Sequence, residues 1–173
     1  MESTKIKISP KLERILHMAE DRELLVKCLN ALASVYRSMM LKRYDLFADG
    51  GGNWKPLSPV TLAKRRKGKG GGSDKILIDT KGLIEAVGSM TAIGASNYIN
   101  GSCITVGFSD EAHDGGESYN QVATLHQNGG WTIIDGHRVF VPQRKILVPP
   151  DTKQQKFLAA AVSAEIDKYI GKN

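Results

Sequence analysis

Two dipeptides in the second half of the chain, Asn100-Gly101 and Asp135-Gly136, constrain the fold more than any other feature of the sequence. Asn-Gly and Asp-Gly favour the two-residue turns that join antiparallel strands, and the type I′ turn is the one that Asn-Gly signals most strongly. Ile104 and Val106 alternate with Cys103, Thr105 and Gly107 after the first dipeptide, and short segments containing apolar residues flank the second, so the sequence predicts two β-hairpins. The expected strands cover residues 89–99 and 102–109 in the first hairpin, and 131–134 and 137–141 in the second.

Before this β region, apolar residues recur at helical spacing. They predict one long helix over residues 21–47, whose polar side includes Arg37. Ser9-Pro10 and Ser58-Pro59 are each expected to begin a shorter helix, because Ser is a favoured N-cap and Pro a favoured first helical residue. Residues 76–78 (Ile-Leu-Ile) are predicted to form a short extended run.

A further helix is predicted at the end of the chain. Asp151 and Gln154 have the spacing of a capping box, and an apolar face follows from Phe157 to Tyr169. Helices on both sides of antiparallel hairpins indicate an α+β fold, with the sheet packed against N-terminal and C-terminal helices. The length predicts one domain over residues 1–173.

Most of the net charge of +6 comes from one segment. Residues 60–75 contain six basic residues and one acidic residue, a local charge of +5. Several glycines in the same segment favour a flexible basic loop at about 64–75, although the solvated end of a helix would also favour cations. Such a loop is expected to face DNA phosphates or an acidic partner protein. Its basic residues are Lys64, Arg65, Arg66, Lys67 and Lys69.

The sequence lacks the common signatures of catalytic and cofactor sites. It contains neither the G-x-x-x-x-G-K-[ST] phosphate-binding loop nor a G-x-S-x-G nucleophile motif. His113 lies among acidic residues without the spacing of a metal site, so a metal-dependent hydrolase is the least favoured function. Cys28 and Cys103 are expected to be buried, reduced thiols. We therefore expect no catalytic residue, no metal and no cofactor.

No transmembrane or secretory segment is evident in the sequence. No apolar run approaches the roughly 20 residues that cross a bilayer, and the first nine residues lack an apolar signal core. The sequence therefore predicts a cytoplasmic protein with no membrane partner.

Several short motifs occur in a fixed order between residues 36 and 148. After a helix that contains Tyr36-Arg37 come W-x-P-L-S-P-x-T from Trp54, I-L-x-D-T-x-x-L from Ile76, A-x-x-H-Q-x-G-G from Ala123 and V-P-x-R-x-x-L from Val141. In this order they resemble the phage virion morphogenesis family, which includes tail-completion proteins of contractile-tailed phages and is related to head-tail joining proteins. The motif positions are Trp54, Pro56, Leu57, Ser58, Pro59, Thr61, Leu77, Thr80, Leu83, His126, Gln127, Gly129, Gly130, Pro142, Arg144 and Leu147.

The chain departs from the family pattern in three places. Thr80-Lys81-Gly82-Leu83 stands where the family usually has Thr-Gly-x-Leu, and Asn128 stands where a bulky aromatic residue often follows the His-Gln pair. The loop over residues 110–118 is also longer than the family leads us to expect. The resemblance implies a non-enzymatic structural protein of a phage or prophage. It would act in tail completion, as a tail terminator, or in head-tail joining, as a ring of copies at the head-proximal tail end or neck.

The partners implied by the resemblance are further copies of the chain and the tail-tube or head-connector proteins, with DNA possible in the lumen. The protein would be assembled in the host cytoplasm and located in the virion. Arg144 would make a bidentate carboxylate bond, either within the chain or between subunits. The alternative function is a small nucleic-acid-binding protein that uses the basic loop on phosphates.

Overall fold

The computed structural model describes residues 3–7, 9, 21–66, 73–79, 81–112, 116–134 and 136–170. The protein has an α+β fold, as the sequence predicts. The helices in these ranges are α1 (Arg22–Ala48), α2 (Pro59–Arg66), α3 (Gly82–Gly88), α4 (Tyr119–Asn128) and α5 (Thr152–Ile170). The strands are β1 (Ser3–Ile6), β2 (Ala95–Asn100), β3 (Cys103–Phe108), β4 (Gly130–Ile134) and β5 (His137–Val141). The short helix predicted from Pro10 onward lies outside the described residues.

Helix α1 is the central helix of the core. Asp21 caps its start, because one carboxylate oxygen accepts hydrogen bonds from the backbone N–H groups of Glu23 and Leu24 at 2.8 and 3.1 Å. The other oxygen accepts a bond from the Tyr169 hydroxyl of α5, which packs along α1. By length and composition α1 is the one described helix that could cross a membrane, and ten of its residues are buried within the fold.

Arg37 is buried at 1% exposure, so the prediction that it lies on the polar side of α1 is wrong. The carbonyl groups in the last turn of a helix have no partner within that helix. Arg37 donates to two such groups at the end of α3, and its remaining bonds tie α1 to β2 and β3. The acceptors are the carbonyl oxygens of Ala86, Val87, Ser96 and Gly107 and the Oδ1 atom of Asn97.

The first hairpin belongs to a three-stranded antiparallel sheet of order β1-β3-β2. Its register pairs Asn100 with Cys103, so the turn residues are Gly101 and Ser102, one position later than predicted. The φ angle is positive at Gly101 (58°) and not at Ser102, which is the pattern of a type II′ turn rather than type I′. On β3, Ile104 is among the buried residues that form the core.

The second hairpin is a separate two-stranded sheet of β4 and β5. Ile134 pairs with His137, which confirms the predicted turn position, and Gly136 has a φ angle of 77°. Large apolar side chains of this hairpin remain 37% to 71% exposed. They are Trp131, Ile133, Ile134, Val139 and Phe140.

The segment predicted to be extended at residues 76–78 is instead a buried turn. Leu77 has a φ angle of 59°, a left-handed conformation that breaks an extended run. The backbone N–H of Ile76 donates to the carbonyl of Ala48 at 3.1 Å, and the Tyr44 hydroxyl donates to the carbonyl of Leu77 at 2.6 Å. The three apolar side chains of residues 76–78 are therefore buried next to the C-terminal end of α1. The prediction failed because the pattern of a short, continuous apolar run does not by itself identify a strand.

The capping box predicted for the last helix is confirmed. The Gln154 side chain accepts from the Asp151 backbone at 3.0 Å, and the Asp151 side chain accepts from the Gln154 backbone at 2.8 Å. Phe157 departs from the predicted apolar face, because it is one of the exposed large apolar residues. Cys28 is a buried free thiol as predicted, and Cys103 is free and partly buried.

Candidate functional site

A cavity of about 540 Å³ lies where the second hairpin meets the rest of the protein. Its lining comes from α2 and the turn before it, the segment around residues 77–83, α4, and both strands of the hairpin. The fold thus brings together positions that are almost 90 residues apart in the chain. Nine of the family motif positions line this cavity: Pro56, Leu57, Ser58, Thr61, Leu77, Leu83, His126, Pro142 and Arg144.

Motif positions from Trp54 to Pro59 fix the start of α2 and the turn before it. Trp54 is buried, and its ring makes edge-on contacts with the rings of Tyr44 and Phe47 at centroid distances of 5.2 and 5.4 Å. Ser58 caps α2, with its Oγ accepting from the backbone N–H of Thr61 at 3.1 Å. As predicted, Pro59 is the first residue of that helix.

Two further motif residues fix the chain after the second hairpin. The Gln127 side chain accepts from the backbone N–H groups of Ile146 and Leu147 and donates to the carbonyl of Leu147, at 2.7 to 3.1 Å. Gly129 has a φ angle of 71°, and a Cβ atom there would lie 2.8 Å from the backbone nitrogen of Gln143. A larger residue at this position would therefore be strained and would also push against the chain after β5. The neighbouring Gly130 begins β4, and Thr80 lies outside the described residues.

Arg65 is 8% exposed and lines the cavity, so its assignment to a flexible, partner-facing loop is wrong. Its Nη1 atom donates to the carbonyl groups of Ser73, Lys75 and Ile78 at 2.8 to 3.0 Å. Because residues 73–78 form a turn rather than a strand, these carbonyl groups have no sheet partner, and the guanidinium satisfies them. The Nε atom makes no hydrogen bond within the described residues and lies 3.7 Å from an Oδ1 atom of Asp79.

Of the other residues in the predicted basic loop, two lie in helix α2 and two lie outside the described residues. Lys64 and Arg66 lie with Arg65 in the last turn of α2, which is the solvated helix end that the sequence left as an alternative. Arg66 forms an ion pair with Asp74 at 2.6 Å, which lowers the pKa of that carboxyl group below its usual value. Lys67 and Lys69 lie outside the described residues.

Arg144 is 5% exposed and bonds to the backbone rather than to a carboxylate. Its Nε and Nη2 atoms donate to the carbonyl of Lys55 at 3.2 and 3.1 Å, and Nη2 has a longer contact of 3.5 Å with the carbonyl of Pro56. The intrachain carboxylate bond is thus absent from the part of the chain that the structure covers. A bond between subunits stays a prediction.

His126 is a neutral imidazole at physiological pH. Burial, together with the nearby positive charges of Arg144 and Arg65, lowers its pKa from 6.5 to about 4. Its Nδ1 atom is buried and has no hydrogen-bond partner among the residues described. A catalytic base is oriented by a hydrogen-bonded partner, and no residue in the described ranges has that role at the Nδ1 atom of His126.

The cavity is electropositive with apolar walls. Four cationic residues and one acidic residue, Asp79, contribute to the described lining. Within the described ranges, no group of three or more His, Cys, Asp or Glu residues could hold a metal ion, and His113 lies outside those ranges. The chemistry that this lining supports is the binding of an anionic group.

Sequence reasoning missed how Arg65 and Asp79 contribute to this site. One local signal was available for Arg65. It lies four residues after the motif position Thr61, so the two side chains share the face of α2 that lines the cavity. Asp79 belongs to the motif that begins at Ile76, but its approach to Arg65 depends on the turn at residues 76–78.

Comparisons of the chain with protein-family models, with curated proteins and with solved structures found no match. The resemblance to the virion morphogenesis family therefore stays a prediction from the sequence motifs.

Proposed function

We propose that the protein is a non-enzymatic structural component of a phage or prophage particle. It completes the tail or joins it to the head, as a ring of copies at the head-proximal tail end or neck. The order of the sequence motifs supports this function, and so does the gathering of nine motif positions around one cavity. A shared structural unit explains why motifs that are far apart in the chain occur together.

The observation that carries the proposal is the exposed second hairpin. A two-stranded hairpin is at best marginally stable alone in water, and among the described residues no further strand pairs with either outer edge. Trp131, Ile133 and Phe140 on this hairpin are all more than half exposed. Such surfaces are typical of protein–protein contacts, and a heterologous contact repeated between copies closes a ring.

The alternative of a nucleic-acid-binding protein receives less support from the described basic residues. Arg65 points inward, and Arg66 is paired with Asp74. The two functions differ in one measurement: the alternative predicts that the isolated protein binds duplex DNA with a steep dependence on salt. The assembly function predicts weak duplex binding and formation of rings instead.

Electron microscopy of particles made without this protein tests the proposed function. We expect full heads beside separate tails, including tails of uncontrolled length. Intact infectious particles in the absence of the protein would refute the proposal, and so would turnover of a substrate by the purified protein.

A matched pair of variants tests the role of the hairpin within that function. Ile133→Ser removes an apolar group of the hairpin that is 71% exposed and does not line the cavity, and Ile93→Ser removes one that is 71% exposed elsewhere on the surface. We expect both proteins to fold, while only Ile133→Ser fails to restore infectious particles. Equal complementation by the two variants would exclude the hairpin as the assembly contact.

A further inference from the structure

Among the described residues that line the cavity, buried positive charge exceeds negative charge. Arg65 and Arg144 are both more than nine-tenths buried, and Asp79 is the one acidic residue in the described lining. That carboxylate forms an ion pair with Arg65, with 3.7 Å between Oδ1 and Nε, a distance too long for a hydrogen bond. One carboxylate among two buried guanidinium groups leaves an excess of positive charge, so an anion entering this cavity would be stabilised.

Donor groups at the site remain available to such an anion. Within the described chain, the hydrogen bonds of Arg144 use its Nε and Nη2 atoms, which leaves Nη1 as a donor. The buried Nε of Arg65 has no hydrogen-bond partner in those same ranges. The buried Nδ1 of His126 has none there either, and it donates to an anion when the neutral ring carries its proton on that nitrogen. Two guanidinium groups and an imidazole thus border one space.

The apolar walls of the cavity favour an anionic group that is attached to an apolar body. Leu57, Leu83, Val122 and Phe140 line the same space, so an inorganic anion would leave this apolar surface in contact with water. A guanidinium group matches the geometry of a carboxylate with two parallel bonds. The volume of about 540 Å³ lies in the range of small-ligand sites.

We propose that this cavity binds an organic carboxylate, whose charged end meets Arg65 and Arg144 and whose apolar body lies against the hairpin wall. This chemistry is offered by a free carboxylic acid or by an acidic side chain of another copy of the chain. The proposal does not depend on the phage function, because it follows from the lining alone.

The test is an NMR titration of the full chain with hexanoate at neutral pH, with hexanol as the neutral analogue and inorganic phosphate as an anion without an apolar body. Charge-assisted hydrogen bonds predict that hexanoate binds about tenfold more tightly than hexanol. The resonances of the Arg144 guanidinium and the His126 ring should shift with hexanoate. Equal binding of hexanoate and hexanol would overturn the proposal, and so would tighter binding of phosphate than of hexanoate.

Two substitutions that remove charges of opposite sign should change hexanoate affinity in opposite directions. Arg144→Met should weaken hexanoate binding at least about tenfold, whereas Asp79→Asn should tighten it severalfold by removing the competing carboxylate. Lys145→Met is the control, because it removes the same charge from an exposed side chain next in sequence. If Arg144→Met does not fold, Asp79→Asn decides alone, and unchanged or weaker binding in that variant would overturn the proposal.

A last arm distinguishes the two sources of the carboxylate. If the natural occupant is an acidic side chain of another copy, hexanoate should dissociate assembled copies in sedimentation velocity experiments, and hexanol should not. If it is a free acid, hexanoate should bind without changing the state of assembly. Either outcome accompanies binding at the cavity, which the titration establishes independently.

Discussion

The two hairpins of this protein are alike in sequence and different in environment. Each has short strands joined by a two-residue turn that contains a glycine with positive φ, Gly101 in one and Gly136 in the other. The first hairpin gains a third strand, β1, and contributes buried residues to the core below α1. The second remains two-stranded, with five large apolar side chains exposed. The local pattern that forms a hairpin therefore does not determine whether its apolar residues are covered.

The comparison also shows how charge is used beneath each hairpin. Arg37 under the first hairpin has all three nitrogen atoms of its guanidinium group bonded to protein acceptors. Near the second hairpin, Arg65 and Arg144 line an open cavity and retain donors without partners among the described residues. The bonds of Arg37 thus complete a core, whereas Arg65 and Arg144 keep donors that a ligand in the cavity can use.

The largest expected effect comes from removing the buried arginine of the first hairpin. Arg37→Met should lower the free energy of unfolding by about 4 kcal/mol, because several buried carbonyl groups lose their donor together. Denaturant titration measures the change. The control on the second hairpin is Arg138→Met, where the guanidinium lies over the Trp131 ring at 4.7 Å, and it should cost less than about 1 kcal/mol. Similar losses in the two variants would contradict the comparison.

Truncation of one isoleucine on each hairpin gives the next largest difference. Ile104 is completely buried, so Ile104→Ala should cost about 3 to 4 kcal/mol of unfolding free energy through lost burial and a cavity. Ile133 is 71% exposed, and Ile133→Ala should change stability by less than about 0.5 kcal/mol. The measurement is made on dilute protein, so that contacts between copies do not contribute. A large loss of unfolding free energy in Ile133→Ala under these conditions would mean that the second hairpin is part of the folding core.

The cavity beside the second hairpin should make stability depend on pH through His126. Its pKa is about 4 in the folded protein and 6.5 as the ordinary value, so the unfolded chain takes up the proton first as the pH falls. The stability that the neutral ring supports is therefore present above pH 6.5 and is lost progressively toward pH 4, by up to about 3 kcal/mol.

Comparison with His126→Phe isolates this contribution, since phenylalanine keeps an aromatic ring that cannot titrate. The difference in unfolding free energy between the two proteins should change with pH between about 6.5 and 4. A difference that stays constant over this range would show that His126 is not the titrating group.

The smallest effects concern the two turns. Gly101 and Gly136 both have positive φ angles and open space where a Cβ atom would stand, so alanine at either should cost about 1 kcal/mol of local strain. Gly101→Ala should lower global stability, because its hairpin belongs to the core sheet. Gly136→Ala should accelerate hydrogen exchange only in β4 and β5. Equal changes in global stability would indicate that the two hairpins unfold as one unit.

Much of the fold follows from local sequence. The extent of α1, the caps formed by Ser58 and Asp151, and the turn of the second hairpin were predicted because backbone preferences and neighbouring side chains decide them. Two of the failures share a cause, because strand β1 and the turn at residues 76–78 depend on contacts with distant segments. The one-residue shift of the first turn is a different local choice, with Gly101 at the first position of a type II′ turn.

The candidate site was likewise predictable only in part from the sequence. The motifs marked positions such as Leu57, His126 and Arg144, but only the folded chain places them around one cavity. Arg65 was assigned to a solvated basic loop because its neighbours in sequence are charged, whereas its actual acceptors are carbonyl groups of a turn beyond the glycine-rich segment.

The sequence by itself determined which segments become helices and hairpins, since these choices depend on spacing, caps and glycine positions within a few residues. The tertiary structure alone decided which hairpin is covered and which arginines are buried. Burial of a cation requires acceptors, and here those acceptors come from parts of the chain that meet only after folding.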